Sequence, residues 1–339
     1  MATIKQIADL AGVSRGTVDR VLNKRGAVNP QTEKKILEIA KALDYRPNRA
    51  GIVLAAQKKR LKLAVILFGE GNPFFDEVVK GVEEKAADLS RYNCTVLLKR
   101  VALNTDSILQ AIDECVLEQV NGIALSPTND SALAKKINEL SDMGIPVVTL
   151  NTDIQNCNRL AYVGCNFYHS GETAAGLMRL MSHGEVNVGI VTGSNSVLCH
   201  TERIAGFTNC IKERYPNIHI TDTIVNEDDD FISYDLTCKL LTNHPEINAL
   251  FFTASGAYGG CRAVLAMNRT ENMTIITYDK TDGIREMLAN NVISATICQQ
   301  PSLQGRKPLD ILFTYLATGE LPEQELNYTA VDIRIRENV

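Results

Sequence analysis

The chain has 339 residues, 45% of them hydrophobic, and a net charge of −5, enough length for more than one domain, each with its own core. No apolar run is long enough to span a bilayer, and the N-terminus lacks the apolar centre of a signal peptide. Nine scattered cysteines, an odd number without a CxxC pair, argue against a disulfide frame and for buried thiols in a reducing cytoplasm.

The average charge hides an asymmetry. Residues 1–60 hold 13 Lys or Arg against 5 Asp or Glu, a charge of +8, and the remainder holds 22 against 35, a charge of −13. A basic head on an acidic body suits a phosphate-facing module carried by a sensor. Within the head, IKQIADLAGVSRGTVDRVL, from Ile4 to Leu22, reads as a helix-turn-helix. Thr3 and Gln6 form a capping box for the first helix. Ala8 allows the second helix to approach, Gly12 takes the positive φ of the turn, and Val18 faces inward on the second helix. Ser14 caps that helix, and Arg15 and Arg20 lie on it, Arg20 pointing away from Val18 and Val21. A third helix opens at Asn29-Pro30, cap then first-turn proline, and runs to about Leu43. Such a unit places its second helix in a DNA major groove. Pro47 ends helix three; Asn48 can cap a short helix through Ala56, and the apolar run Ile52 to Ala55 has nothing obvious to pack against.

From Leu63 the pattern alternates between strand and helix. LKLAVIL (61–67), TVLLK (95–99), GIALS (122–126) and PVVTLN (146–151) read as strands, separated by helices at Phe75–Leu89, near Ser107–Val120 and near Ser131–Met143. The order then repeats. VNVGIVTG (186–193), ITDTIV (220–225), ALFFTA (249–254), MTIITYD (273–279) and SATICQQ (294–300) read as strands, with helices at about Glu202–Tyr215 and near Tyr234–Asn243. The body is therefore α/β, two similar lobes with mostly parallel sheets, and ligands of such sheets bind beyond the carboxyl ends of the strands. The residues found there are Asn72, Phe74, Phe75, Asn129, Asn151, Arg203, Ser255, Asp279 and Gln299. Amides, a carboxylate and a guanidinium bond hydroxyls, and aromatic rings cover the C–H face of a sugar, so the set suits a neutral polyhydroxylated ligand.

Enzyme signals are missing: there is no phosphate loop, no GxGxxG after a strand, no GxSxG elbow and no HExxH. The five histidines are isolated from each other. Cys199-His200 reads as structural, and Asp228-Asp229-Asp230 as a solvated loop rather than a metal site.

With these residues in view, the chain resembles the lactose-repressor family of transcriptional regulators over essentially its whole length. TIKQIADLAGVSRGTVDRVLN is similar to that family's headpiece and YRPNRAGIVLA to its hinge. NPFF, SPTND, PVVTLN, ERIAGF and ATICQQP are similar to a ribose-binding-protein type of receptor. The resemblance implies a headpiece over 1–47, a hinge helix and linker over 48–60, and a ligand-binding body over 61–339. It divides that body into a first lobe of about 61–165 and 299–326 and a second of about 166–298 and 327–339. It implies that Arg15, Gly16 and Arg20 read bases. Thr3, Ser14, Thr17, Asn23 and Thr32 would contact phosphates, with Asn48 joining the DNA-facing set and Leu54 wedging into the minor groove. It implies that the nine strand-end residues hold a sugar, without cofactor or metal, in a cytoplasmic homodimer that binds a palindromic operator as a repressor. A nucleobase or sugar phosphate is the alternative effector, and a sugar-metabolising enzyme with a DNA-binding head the remaining one. Two positions depart from the family. Asp19 replaces the usual Ser on the DNA-facing helix, and Ser255-Gly256 replaces an Asn-Asp pair, removing one ligand carboxylate. Tyr258 and Asp153 are the candidates to compensate.

Overall fold

The computed structural model describes residues 3–22, 28–43, 60–69 and 71–339. Asn23, Asn48 and Leu54, with the expected hinge helix, lie outside the described residues. In the headpiece, α1 (Ile4–Ala11), α2 (Arg15–Leu22) and α3 (Pro30–Ala42) close around Ile7, Ala8, Ala11, Val18, Val21, Ile36 and Ala40. Local chemistry sets each end. The Gln6 backbone N–H donates to Thr3 Oγ1 (3.2 Å) while Gln6 Oε1 accepts from the Thr3 N–H (2.9 Å). Gly12 stops α1 at φ +73°. Ser14 Oγ accepts from the Thr17 N–H (3.1 Å), and Asn29 caps α3 ahead of Pro30.

The body holds two six-stranded sheets. The first contains β1 (Lys62–Leu67), β2 (Thr95–Arg100), β3 (Gly122–Leu125), β4 (Val147–Leu150), β5 (Ala161–Gly164) and β11 (Leu326–Tyr328), in the order β11-β5-β4-β3-β1-β2. The second contains β6 (Val186–Thr192), β7 (Ile218–Val225), β8 (Ala249–Phe252), β9 (Thr274–Tyr278), β10 (Ala295–Cys298) and β12 (Asp332–Arg334), in the order β12-β10-β9-β8-β6-β7. β12 pairs antiparallel with β10; the other pairs are parallel. Sheets buried on both faces need continuous apolar runs, and the central strands β3, β4, β8 and β10 are buried at every residue. Because β11 pairs with β5, the chain's last crossing falls between Tyr328 and Asp332, after the boundary at 326 expected from the sequence.

The helices on the first lobe are α4 (Pro73–Ser90), α5 (Thr105–Leu117), α6 (Ser131–Asp142) and α12 (Pro301–Thr318). Those on the second are α7 (Phe167–Met181), α8 (Leu198–Arg214), α9 (Asp230–Asn243), α10 (Ala257–Ala266) and α11 (Asp282–Ala289). Both lobes use the same device where two helices cross. A Cβ at Gly81 of α4 or Gly305 of α12 would overlap the other helix's backbone, and so would one at Gly171 of α7 or Gly206 of α8. The Gly171 contact is the Arg203 carbonyl, so this crossing fixes the height of a candidate site residue. Gly171→Ala is expected to cost on the order of 2 kcal/mol through overpacking, read as a lowered urea midpoint; an unchanged midpoint would show that the crossing yields freely. Among the described residues no helix is long and apolar enough to cross a membrane.

Candidate functional site

The headpiece presents Arg15, Gly16 and Arg20 as exposed residues on α2, opposite the buried Val18 and Val21. Arg20 lies back along the helix, Nε donating to the Gly16 carbonyl at 3.2 Å. Ser14 and Thr17 share a hydroxyl hydrogen bond of 2.9 Å, and Thr3 is exposed while Thr32 is half-buried. Asp19 is half-buried and engaged rather than free.

In the body, Asn151 ends β4 and Asp279 ends β9, the same position in each sheet order. Both adopt left-handed backbone, φ +63° and +65°, a conformation Asn and Asp tolerate better than other residues with a Cβ. Each backbone N–H is tied to the next strand, Asn151 to Val163 O (3.0 Å) and Asp279 to Ile297 O (2.9 Å). A buried relay joins them. Asn151 Nδ2 donates to Gln304 Oε1 (3.4 Å), Gln304 Nε2 to the Gln299 carbonyl (2.7 Å), and Gln299 Nε2 to Asp279 Oδ1 and Oδ2 (3.0 and 3.2 Å). Gln299 Oε1 is buried without a hydrogen-bond partner. Burial pushes the Asp279 carboxyl up to about 6, against the opposing pull of Arg203 and the Gln299 N–H.

Arg203 is buried, its guanidinium 3.6 Å from the Tyr278 ring centroid and 4.8 Å from that of Phe167. Nη1 donates to the Thr253 carbonyl (2.6 Å), while Nε is buried without a partner. Two aromatic faces and a carbonyl hold the cation in place of water. Ser255 is half-buried at the end of β8.

The other first-lobe residues have structural duties. Asn72 caps α4, its Oδ1 accepting from the Phe74 N–H (3.0 Å). Phe74 and Phe75 meet edge-to-face at 5.3 Å within the first-lobe core. Asn129 is exposed; its Oδ1 accepts from the Gln155 N–H (3.2 Å), and its own N–H reaches the second lobe at Ser196 O (2.9 Å). The relay thus brings together Asn151, Asp279 and Gln299, with Arg203 beside them, and does not include Asn72, Phe74, Phe75 or Asn129.

Neither expected compensating residue is free. Asp153 is held by Arg159 at 2.7 Å on both oxygens and by the Thr149 hydroxyl, on the wall of a pocket of about 630 Å³ that Phe167 also lines. Tyr258 directs its hydroxyl to Glu286 (3.5 Å). In the acidic triplet, Asp229 and Asp230 are exposed while Asp228 is half-buried. Asp229 caps α9, Asp230 accepts from the Gly259 N–H, and Asp228 Oδ1 accepts from the Ser255 N–H (3.0 Å). His200 is buried, 3.8 Å from Asp228 Oδ1. Burial weighs against a charge on His200, yet Cys199 and Asp228 outweigh it and raise its pKa.

Comparison with known proteins agrees with both halves. Residues 3–48 match the model of the bacterial regulatory proteins of the lacI family, and residues 63–321 match the periplasmic binding protein domain. The chain is 28% identical to catabolite control protein A of Priestia megaterium over 82% of each chain. It is also 28% identical to the ribose operon repressor of Halalkalibacterium halodurans, over 89% of this chain and 86% of the repressor. Among solved structures it is similar to the XylFII molecule, with TM-score 0.74 and 29% identity over 81% of this chain and 98% of that one. A glucose-galactose binding protein from Geobacillus stearothermophilus shares the fold, with TM-score 0.75 and 24% identity over 82% and 98%. Over most of its length the chain belongs to the periplasmic binding protein domain family, and its head carries the DNA-binding domain of the bacterial regulatory proteins of the lacI family.

Proposed function

We propose that this protein is a cytoplasmic transcriptional repressor whose hold on DNA is controlled by a sugar bound between the two lobes. The observation that carries the reading is the buried relay from Asn151 to Asp279, with Arg203 beside it. It sets donors and acceptors at facing strand ends, where α/β sheets bind ligands, in a chain whose head exposes Arg15 and Arg20 on a recognition helix. A sugar closing on Asn151 from one lobe and on Asp279, Gln299 and Arg203 from the other favours one lobe arrangement. In a homodimer that arrangement sets the spacing of the two hinge segments, and so the fit of two headpieces to a palindromic operator. Coupling of this kind is reciprocal: a sugar that weakens DNA binding is itself held more weakly by the DNA complex.

The test is release of a fluorescent operator fragment, followed by anisotropy as pentoses and hexoses are added. Arg20→Ala is expected to lose roughly 1–3 kcal/mol at its cognate base step and to relax specificity there. Unchanged affinity and specificity in this variant would remove Arg20 from the reading surface, and a complex indifferent to every sugar would overturn the sugar assignment.

A further inference from the structure

One cluster at the second sheet's strand ends has no part in the relay. The sheet order reverses between β6 and β8, and the crevice at such a reversal is where ligands of doubly wound sheets bind. Around it stand Gly193 and Ser194 after β6, Asn226 and Asp228 after β7, Ser255 after β8, and His200 in the first turn of α8. Asn226 is fully buried and fixes both neighbours. Its Oδ1 accepts from the Asp228 N–H (3.1 Å), and its Nδ2 donates to the Ser255 carbonyl (2.7 Å). Glu227 and Asp228 both adopt left-handed backbone, φ +54° and +61°, which non-glycine residues keep only when their surroundings impose it. That turn carries the Asp228 carboxylate to the Ser255 N–H. Gly193 makes room, since a Cβ there would overlap Asp228 Oδ2 and the His200 ring.

The hydrogen-bond count at this cluster is incomplete. His200 Nδ1 lies 3.0 Å from the Ser194 carbonyl, which only accepts, so Nδ1 carries the proton. In the neutral ring Nε2 is then an acceptor, and 3.8 Å away it faces Asp228 Oδ1, another acceptor. Asp228 Oδ2 is buried with no partner at all. An ammonium nitrogen about 2.8 Å from both Nε2 and the carboxylate would satisfy them together, and two neighbouring hydroxyls would satisfy one each. Arg203 acts on both His200 and Asp279, and Asp228 adds a second carboxylate to the cleft, a balance that disfavours an anionic ligand.

We propose that His200 and Asp228 form an effector-binding locus, taking a donor group of a neutral or amino sugar where the strand end itself offers only Ser255-Gly256. The proposal rests on the cleft being the effector site. The carboxylate missing from the end of β8 is supplied by the neighbouring loop and anchored to the backbone of Ser255.

The experiment is calorimetry and thermal shift on the full chain at about pH 7 and again at about pH 9, because the raised pKa of His200 favours the neutral ring only as pH rises. The probes are ribose, xylose, arabinose, glucose and galactose; glucosamine and galactosamine; glucuronate and galacturonate; and the phosphates of ribose and glucose. A neutral or amino sugar is expected to bind, the two groups of probes telling a hydroxyl donor from an ammonium. Asp228→Asn and His200→Leu should each weaken that sugar about tenfold or more, and His200→Gln, which keeps a side-chain acceptor, should recover most of the loss. Arg203→Ala separates the two levels. If it abolishes binding while Asp228→Asn and His200→Leu bind as tightly as wild type, this locus is wrong and the cleft stands. If Arg203→Ala binds normally, the cleft assignment itself fails. Binding by uronates or sugar phosphates alone, or by no probe, would overturn the ligand class.

Discussion

Arg203→Ala is expected to weaken effector binding by at least about 100-fold, equivalent to roughly 2.7 kcal/mol, and to leave the operator complex intact at sugar concentrations that release the wild-type protein. The size follows from how the guanidinium is held. It is buried between Tyr278 and Phe167, Nη1 donates to the Thr253 carbonyl, and Nε is buried without a partner. The buried Nε N–H can bond a ligand oxygen without first giving up water, and a hydrogen bond to a charged donor contributes about 1.5–3 kcal/mol. Arg203→Lys keeps the charge but replaces a planar fork by a point donor, so it should recover only part of the affinity. Titration calorimetry with the active sugar decides it, alongside anisotropy of the operator complex. An Ala variant that releases DNA at the wild-type sugar concentration would place the effector elsewhere.

The parts of this molecule legible in the sequence are those whose causes are local. Thr3 with Gln6, Gly12 and Asn29-Pro30 are cap signals, and they sit at helix ends as read. The long strands announced themselves as apolar runs because both of their faces are buried. β5 and β11, four and three residues long, are too short to show a period and pair only through contacts distant in the chain. The missed residues share one cause. The sequence places α8 near Glu202 and α9 near Tyr234, whereas they begin at Leu198 and Asp230. Apolar periodicity fades in a first turn, where cap chemistry replaces it. His200 and Asp228 sit in or just before those turns, so one read as half of a structural Cys-His pair and the other as solvated loop. Gln304 was hidden differently. A polar residue on a helix reads as exposed, and only the packing of α12 against the crossing at Gln299 buries it.

Asp279→Asn is expected to raise the stability of the sugar-free protein near neutral pH while removing its response to sugar. Burial holds the folded carboxyl at about 6, against about 3.9 for an aspartate in an unfolded chain. Below about pH 4 the group is protonated in both states and costs nothing. Between about 4 and 6 the folded protein keeps a proton that the unfolded chain has released, so stability falls as pH rises through this window and stays lower above it. A shift of about two units corresponds to on the order of 3 kcal/mol at pH 7. An amide at 279 still accepts from Gln299 Nε2 and carries no charge to desolvate, so that cost disappears. The wild-type midpoint should therefore fall between pH 4.5 and about 7 relative to the variant's, by several degrees. Function requires the opposite state. An ionised carboxylate accepts from two sugar hydroxyls at once, and a bound sugar supplies the donors whose lack makes the charge costly, so ligand and stability are linked through one group. Melting curves of the two proteins over that range, with and without the active sugar, measure both effects. Parallel pH profiles would mean that Asp279 is solvated in the folded protein, and a variant that still binds sugar with wild-type affinity would show that its charge is not what the effector meets.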